Sequence, residues 1–128
     1  MNLPVKDLAA SMDFFGKLEL SFNEQFTDEN AACLVVSDTV FVMLVVEEFF
    51  QTFTKKEIVD ATKMTEVFIA LSVDDREAVD AFLEKALEAG AVEAREVQDQ
   101  GFMYSRSFED PDGHIWEFFC IDEKAVRE

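Results

Sequence analysis

The sequence predicts an α+β domain built from two copies of one β-α-β-β-β module. Three observations point there. First, Leu3-Pro-Val-Lys-Asp-Leu-Ala-Ala-Ser-Met-Asp-Phe-Phe15 resembles Leu71-Ser-Val-Asp-Asp-Arg-Glu-Ala-Val-Asp-Ala-Phe-Leu83. In each, a short strand ends at Val-x-Asp and a helix follows. Second, Thr39-Val-Phe-Val-Met-Leu-Val45 and Gly113-His-Ile-Trp-Glu-Phe-Phe119 share a pattern and follow in the same order. Self-similarity at a fixed spacing marks a duplicated supersecondary unit. Third, two apolar-rich runs flank Asp110-Pro-Asp-Gly113. Proline presets a turn there and glycine accepts a positive φ, so the segment reads as a hairpin.

The elements follow in order. Strands are expected near 1–5, 20–27, 31–36, 40–46, 65–73, 92–98, 102–109 and 114–121. Asp28-Glu-Asn30 and Ser37-Asp38 supply turns. Asn23, Glu24 and Gln25 weaken the second strand, which suits an edge. A first helix over about 7–16 places Leu8, Met12 and Phe15 on one face. A second, over about 75–89, starts at Asp74 as N-cap with Glu77 three residues on. Val79, Phe82, Leu83, Ala86 and Leu87 form its apolar stripe, and Gly90 suits the position just past its end. The whole of 1–128 is one domain: module one about 1–46, a connector about 47–64, module two about 65–128. The connector carries Phe49, Phe50 and Phe53, which water would not leave apart. It reads as a linker helix packed on the sheet, or as a lid or dimer contact.

Composition bounds the function. Hydrophobic residues make up 49% of 128, enough for a core. Fourteen phenylalanines exceed what a core of this size needs, and the surplus could line a pocket. A net charge of −17 argues against nucleic acid and against an anionic membrane, both of which need Lys/Arg patches. It gives solubility, and attracts cations. Cys33 and Cys120 fall in apolar strands and read as reduced thiols, although a disulfide stays open. No signal peptide and no run of about 20 apolar residues is visible. A cytoplasmic protein is expected. No Gly-rich phosphate loop, Ser/His/Asp set or Cys-x-x-Cys occurs.

Two such modules closing on Asp110-Pro-Asp-Gly-His-Ile-Trp-Glu117, with Leu3-Pro-Val-Lys-Asp-Leu8 and Ile69-Ala-Leu-Ser-Val-Asp74, resemble the vicinal-oxygen-chelate superfamily. That group includes glyoxalase I, bleomycin-resistance proteins and extradiol dioxygenases. The resemblance spans essentially the whole chain. It implies a curved mixed sheet with helices on the convex face, and a cup completed in a homodimer. Metal-dependent members place His, Gln or Glu ligands on the first and last strand of each module. Carried over one by one, the last-strand ligand of module two falls on Glu117 and its counterpart in module one on Met43. The first-strand ligand of module two falls on Phe68, and its counterpart would precede Met1. Glu117 is thus the one surviving candidate ligand. One carboxylate should not hold a catalytic divalent ion, so no metal and no cofactor is expected.

A carboxylate amid Ile115, Trp116, Phe118 and Phe119 still needs a partner. With a four-residue turn at 110–113 and Glu109 opposite His114, Arg106 opposes Glu117, and the two form an ion pair. Phe41, Met43, Phe68, Phe102, Tyr104, Phe108 and Phe119 then have the parity to share that face. Together with Arg106 and Glu117 they describe either a ligand pocket or a filled core. His114 points to the other face and reads as a local hydrogen-bonding residue. The expected function is metal-free binding of a small, cationic or aromatic molecule, as in bleomycin-resistance proteins. The alternatives are a lyase or dioxygenase whose metal sits on Glu117, and a domain kept for protein association. No catalytic residue is assigned.

Overall fold

The computed structural model describes residues 1–122, and within them the duplicated module is plain. The chain divides into two compact units, Met1–Asp60 and one that begins at Ala61. The expected connector is therefore shared between them.

In the first unit the order is β1 (Asn2–Val5), α1 (Leu8–Lys17), β2 (Ser21–Phe22), β3 (Ala31–Val35) and β4 (Phe41–Val46). The sheet runs β1-β4-β3-β2, with β1 parallel to β4 and the other pairs antiparallel. Asp7 caps α1 by accepting a hydrogen bond from the Ala10 amide at 3.0 Å. Phe14, Phe15 and Leu18 bury against the face of the sheet that carries Leu3, Val5, Val42 and Leu44. The second strand is shorter than expected. After Phe22, Asn23 caps a single turn of 3₁₀-helix, Glu24–Phe26, by accepting from the Gln25 amide. An asparagine that satisfies the backbone locally competes with a ladder. The connector begins as a four-residue helix, α2 (Glu47–Phe50), and runs into a 3₁₀ turn at Gln51–Phe53. Phe53 packs its ring against those of Phe49 and Phe50, yet Phe49 and Phe53 stay exposed.

The second unit repeats the plan with β5 (Phe68–Ser72), α3 (Arg76–Glu88), β6 (Val92–Glu93), β7 (Gln98–Asp99), β8 (Met103–Glu109) and β9 (Ile115–Ile121). Its sheet runs β5-β9-β8-β6, with β7 also on β8, and β5 is parallel to β9 as β1 is to β4. The expected strand 92–98 is two short strands separated by Ala94–Val97. Asp75, not Asp74, caps α3, accepting from the Ala78 amide at 2.8 Å. Gly90 has φ +101 just past the helix end. Val79, Leu83 and Ala86 are buried, and Phe82 stacks on Phe118 at 4.3 Å.

Cys33 and Cys120 are both free and buried, one in each unit. Among the described residues, no helix is long and apolar enough to cross a membrane.

Candidate functional site

The turn at 110–114 decides which side chains share a face with Glu117. The Asp110 amide donates to the His114 carbonyl, and the Gly113 amide donates to the Asp110 carbonyl. Gly113 has φ +89. This is a three-residue loop ending in a left-handed glycine bulge, so Asp110 opposes His114. Glu109 therefore opposes Ile115, not His114.

That single residue flips β8 against β9. Ser107, not Arg106, stands opposite Glu117, and Arg106 stands opposite Phe118. The expected Arg106–Glu117 pair does not form. Tyr104, Arg106 and Phe108 lie on the helix-covered face, with Trp116 and Phe118. Phe108 and Trp116 are fully buried there.

Asp110 explains why the loop closes this way. Its Oδ1 accepts from the Asp112 and His114 amides at 2.9 and 3.0 Å, and its Oδ2 accepts from the Trp116 indole at 3.0 Å. Burial pushes its carboxyl up, against the opposing pull of His114 and these hydrogen bonds. Gly113 lies under the backbone of Ala61 and Thr62, with no room for a side chain. The Asp-Pro-Asp-Gly-His-x-Trp motif is thus a folding device, and Glu117, the residue that follows it, lies on the other face of the sheet from Trp116.

Arg106 has a different task. It donates to Glu93 through Nε at 3.0 Å and a terminal nitrogen at 3.3 Å, and to Asp80 at 3.1 Å. Glu84 lies 3.5 Å away. The Glu93 hydrogen bond, and then Asp80, hold its guanidinium above its ordinary value despite burial. Tyr104 donates to the same Asp80 at 2.8 Å. Burial, and then that bond, raise its phenol. Arg76 lies 4.8 Å from the Tyr104 ring and forks onto Asp99 at 2.7 and 2.8 Å. These groups tie α3, β6 and β7 to the back of β8. None of them faces Glu117.

The open face carries Phe68 and Ala70 from β5, Ile115, Glu117 and Phe119 from β9, and Ser105 and Ser107 from β8. On this face Phe68, Ala94, Arg95, Ser107, Ile115 and Glu117 line a pocket of about 160 Å³. Arg95 donates a terminal nitrogen to Glu117 Oε1 at 3.1 Å; the Arg95 side chain is 55% exposed and that of Glu117 12%. Opposite Glu117, the Ser107 hydroxyl is buried and has no hydrogen-bond partner among the described residues. Ser105, one step along, is in the same condition.

Of the expected pocket residues, the structure therefore brings Glu117 and Phe68 together. Phe119 shares their face, opposite Ser105. Phe102 lies in the bend before β8, exposed. Phe41 and Met43 share one face of β4 in the first unit, where Met43 opposes Asn2 and Cys33. The pairing of Asn2 with Met43 repeats that of Ala70 with Glu117, so the equivalence of Met43 and Glu117 holds. The other four lining residues, Ala94, Arg95, Ser107 and Ile115, are not among those the sequence singles out for the pocket, and two of them are polar. Arg95 lies in the break between β6 and β7, where no period assigns a face. Ser107 was one residue out of register, a slip that the Pro-Asp-Gly signature of a three-residue loop could have corrected.

The residues present do not fit a divalent ion. Phe68 has no ligating atom, Met43 has a soft thioether, and Glu117 carries a guanidinium. Among the described residues no three His, Cys, Asp or Glu side chains are grouped to hold one.

A family model described as Glyoxalase/Bleomycin resistance protein/Dioxygenase superfamily matches residues 1–118. A comparison with curated proteins gives no match. Among solved structures, a hypothetical protein from S. aureus is 28% identical with a TM-score of 0.80, covering 93% of this chain and 89% of that one. A glyoxalase/bleomycin resistance protein/dioxygenase family enzyme from Burkholderia phytofirmans is 16% identical with a TM-score of 0.77, covering 95% and 96%. The fosfomycin resistance protein FosX from Mesorhizobium loti is 16% identical with a TM-score of 0.70, covering 100% and 94%. The last two likenesses concern the fold.

Proposed function

This chain belongs to the glyoxalase/bleomycin resistance protein/dioxygenase superfamily, and we propose that it binds a small, single-ring molecule without a metal. The binding site is the pocket beside Glu117. One observation carries this: a buried hydroxyl, Ser107 Oγ, has no partner and lines an apolar pocket that also holds an ion pair. A buried polar group left unmade costs about 1–3 kcal/mol. A ligand that completes it recovers that cost.

Size supports the same reading. An apolar cavity of about 150 Å³ accommodates benzene, and this pocket measures about 160 Å³. Phe68 and Ile115 offer the ring apolar walls, and Glu117, Arg95 and Ser107 offer the polar end. Arg95 occupies the carboxylate that a metal would otherwise claim.

The test is ligand titration followed by backbone-amide NMR, using toluene, phenol and benzamide. Shifts should cluster at Ala94, Ser107, Ile115 and Glu117. Ala94→Phe, which fills the pocket, should abolish them. Binding that persists in Ala94→Phe would remove the site, and stoichiometric divalent metal lost in Glu117→Ala would remove the metal-free mechanism.

A further inference from the structure

We infer that the ligand is uncharged and presents a hydrogen-bond donor beside an acceptor, as a primary amide on a six-membered ring does. This rests on the pocket near Glu117 being a ligand site. It adds the charge state and the polar pattern of what enters.

The pocket is lined by one anion and one cation, already paired. Glu117 uses one oxygen on Arg95, and its second oxygen has no partner among the described residues. Arg95 gives Glu117 one of its five N–H groups. Ser107, directly opposite, has an unpartnered hydroxyl. Directly opposed strand residues hold their Cβ atoms about 5 Å apart. One amide can reach both. Its N–H donates to the free Glu117 oxygen, and its carbonyl accepts from the Ser107 hydroxyl, with the spare Arg95 N–H groups beside it. Its ring lies on Phe68 and Ile115.

Charged ligands of the same shape fit less well. A cation finds Glu117 already neutralised and meets the Arg95 guanidinium. To bind, it must evict Arg95 and gains only an exchange of partners. An anion reaches Arg95 and Ser107 but comes up against the largely buried Glu117 carboxylate. The cation thus gains no net pairing, and the anion leaves the Glu117 carboxylate in an apolar pocket without its counterpart, which low dielectric makes expensive. The overall charge of −17 raises the local concentration of cations, but it does not alter the neutrality of the pocket.

Benzamide, benzoate and benzamidine share one shape and differ in charge, so titrating all three into the full chain, with toluene as a polar-free control, tests the inference. Benzamide should bind at least about tenfold tighter than either charged analogue, the ratio that one mispaired charge-assisted contact supports. Arg95→Met should reverse the order in favour of benzamidine, and Glu117→Gln in favour of benzoate. A merely structural role for either residue would weaken all three alike. Benzamidine or benzoate binding tightest to the unaltered protein overturns the inference, as does an order that neither substitution changes. Toluene binding with no preference among the other three overturns it while leaving the pocket a ligand site. Failure of all four overturns the pocket as well.

Discussion

Arg106 and Arg95 should fail in opposite ways when replaced. Arg106→Leu removes a guanidinium that donates twice to Glu93 and once to Asp80. A hydrogen bond to a charged group contributes about 1.5–3 kcal/mol, but Asp80 and Glu84 are 46% and 64% exposed and water replaces most of their loss. The fork onto Glu93, 31% exposed, keeps more of its value. Three carboxylates are also left facing one another. The sum is a loss of about 2–4 kcal/mol, or on the order of 10 °C in Tm for a chain of this size. Benzamide affinity should change less than about twofold, because Arg106 lies behind the sheet. Arg95→Met should do the reverse. Its one ion pair is exposed at the arginine end, so stability should move by less than about 1 kcal/mol, while the charge preference of the pocket inverts. Thermal unfolding followed by circular dichroism, with binding measured on the same samples, reads both. Arg106→Leu that keeps its Tm but loses binding would refute the reasoning, because it would put Arg106 back opposite Glu117.

Two further perturbations test the frame. Gly113→Ala places a Cβ within 2.7–2.8 Å of the backbone of Ala61 and Thr62, at a φ of +89 that disfavours any side chain. Denaturant unfolding should show a loss of about 2 kcal/mol or more; a loss under about 0.5 kcal/mol would mean the loop is not a glycine bulge. Asp99 supplies the pH dependence. Hydrogen bonds from Arg76, and then from the Gly101 amide, hold its carboxyl below the ordinary value, so the folded state binds that proton more weakly than the unfolded chain. Its contribution is present above the unfolded value of about 3.9 and is lost as pH falls through the lower folded one. The Tm advantage of the natural protein over Asp99→Asn should therefore shrink below about pH 4. An advantage that grows on acidification would reverse the sign.

Much of this fold was legible because its signals are local. The stripe Val79, Phe82, Leu83, Ala86 with an aspartate before it and Gly90 after it specifies α3 wherever the chain goes next. The repeat equates Met43 with Glu117, and the strand pairing agrees. The failures have a common cause. Asn23 and the break at Ala94–Val97 are places where strand-like composition gives way to a side chain capping its own backbone or to an irregular loop. Nothing within a few residues of Arg95 says that it will reach Glu117, 22 positions away.

The register of β8 on β9 is the sharpest case. Both candidate registers bury aromatic side chains, because Phe118 and Phe119 point to opposite faces of β9, so Tyr104 and Phe108 share a face with one or the other whichever way the strands slide. Hydrophobic pattern therefore cannot choose between them. Polar cost can. In the register with Arg106 opposite Glu117, the Trp116 indole gains no better acceptor than Asp110, and Glu93, Asp80 and Glu84 lose their cation. In the observed register Asp110 answers three donors and Arg106 answers the carboxylates of α3 and β6. Among the described residues, Ser105, Ser107 and one oxygen of Glu117 are left without a partner, all on one face. Among the described residues the two buried hydroxyls without a partner, Ser105 and Ser107, both stand in front of the sheet, on the face of the pocket proposed as the ligand site, and neither stands behind it.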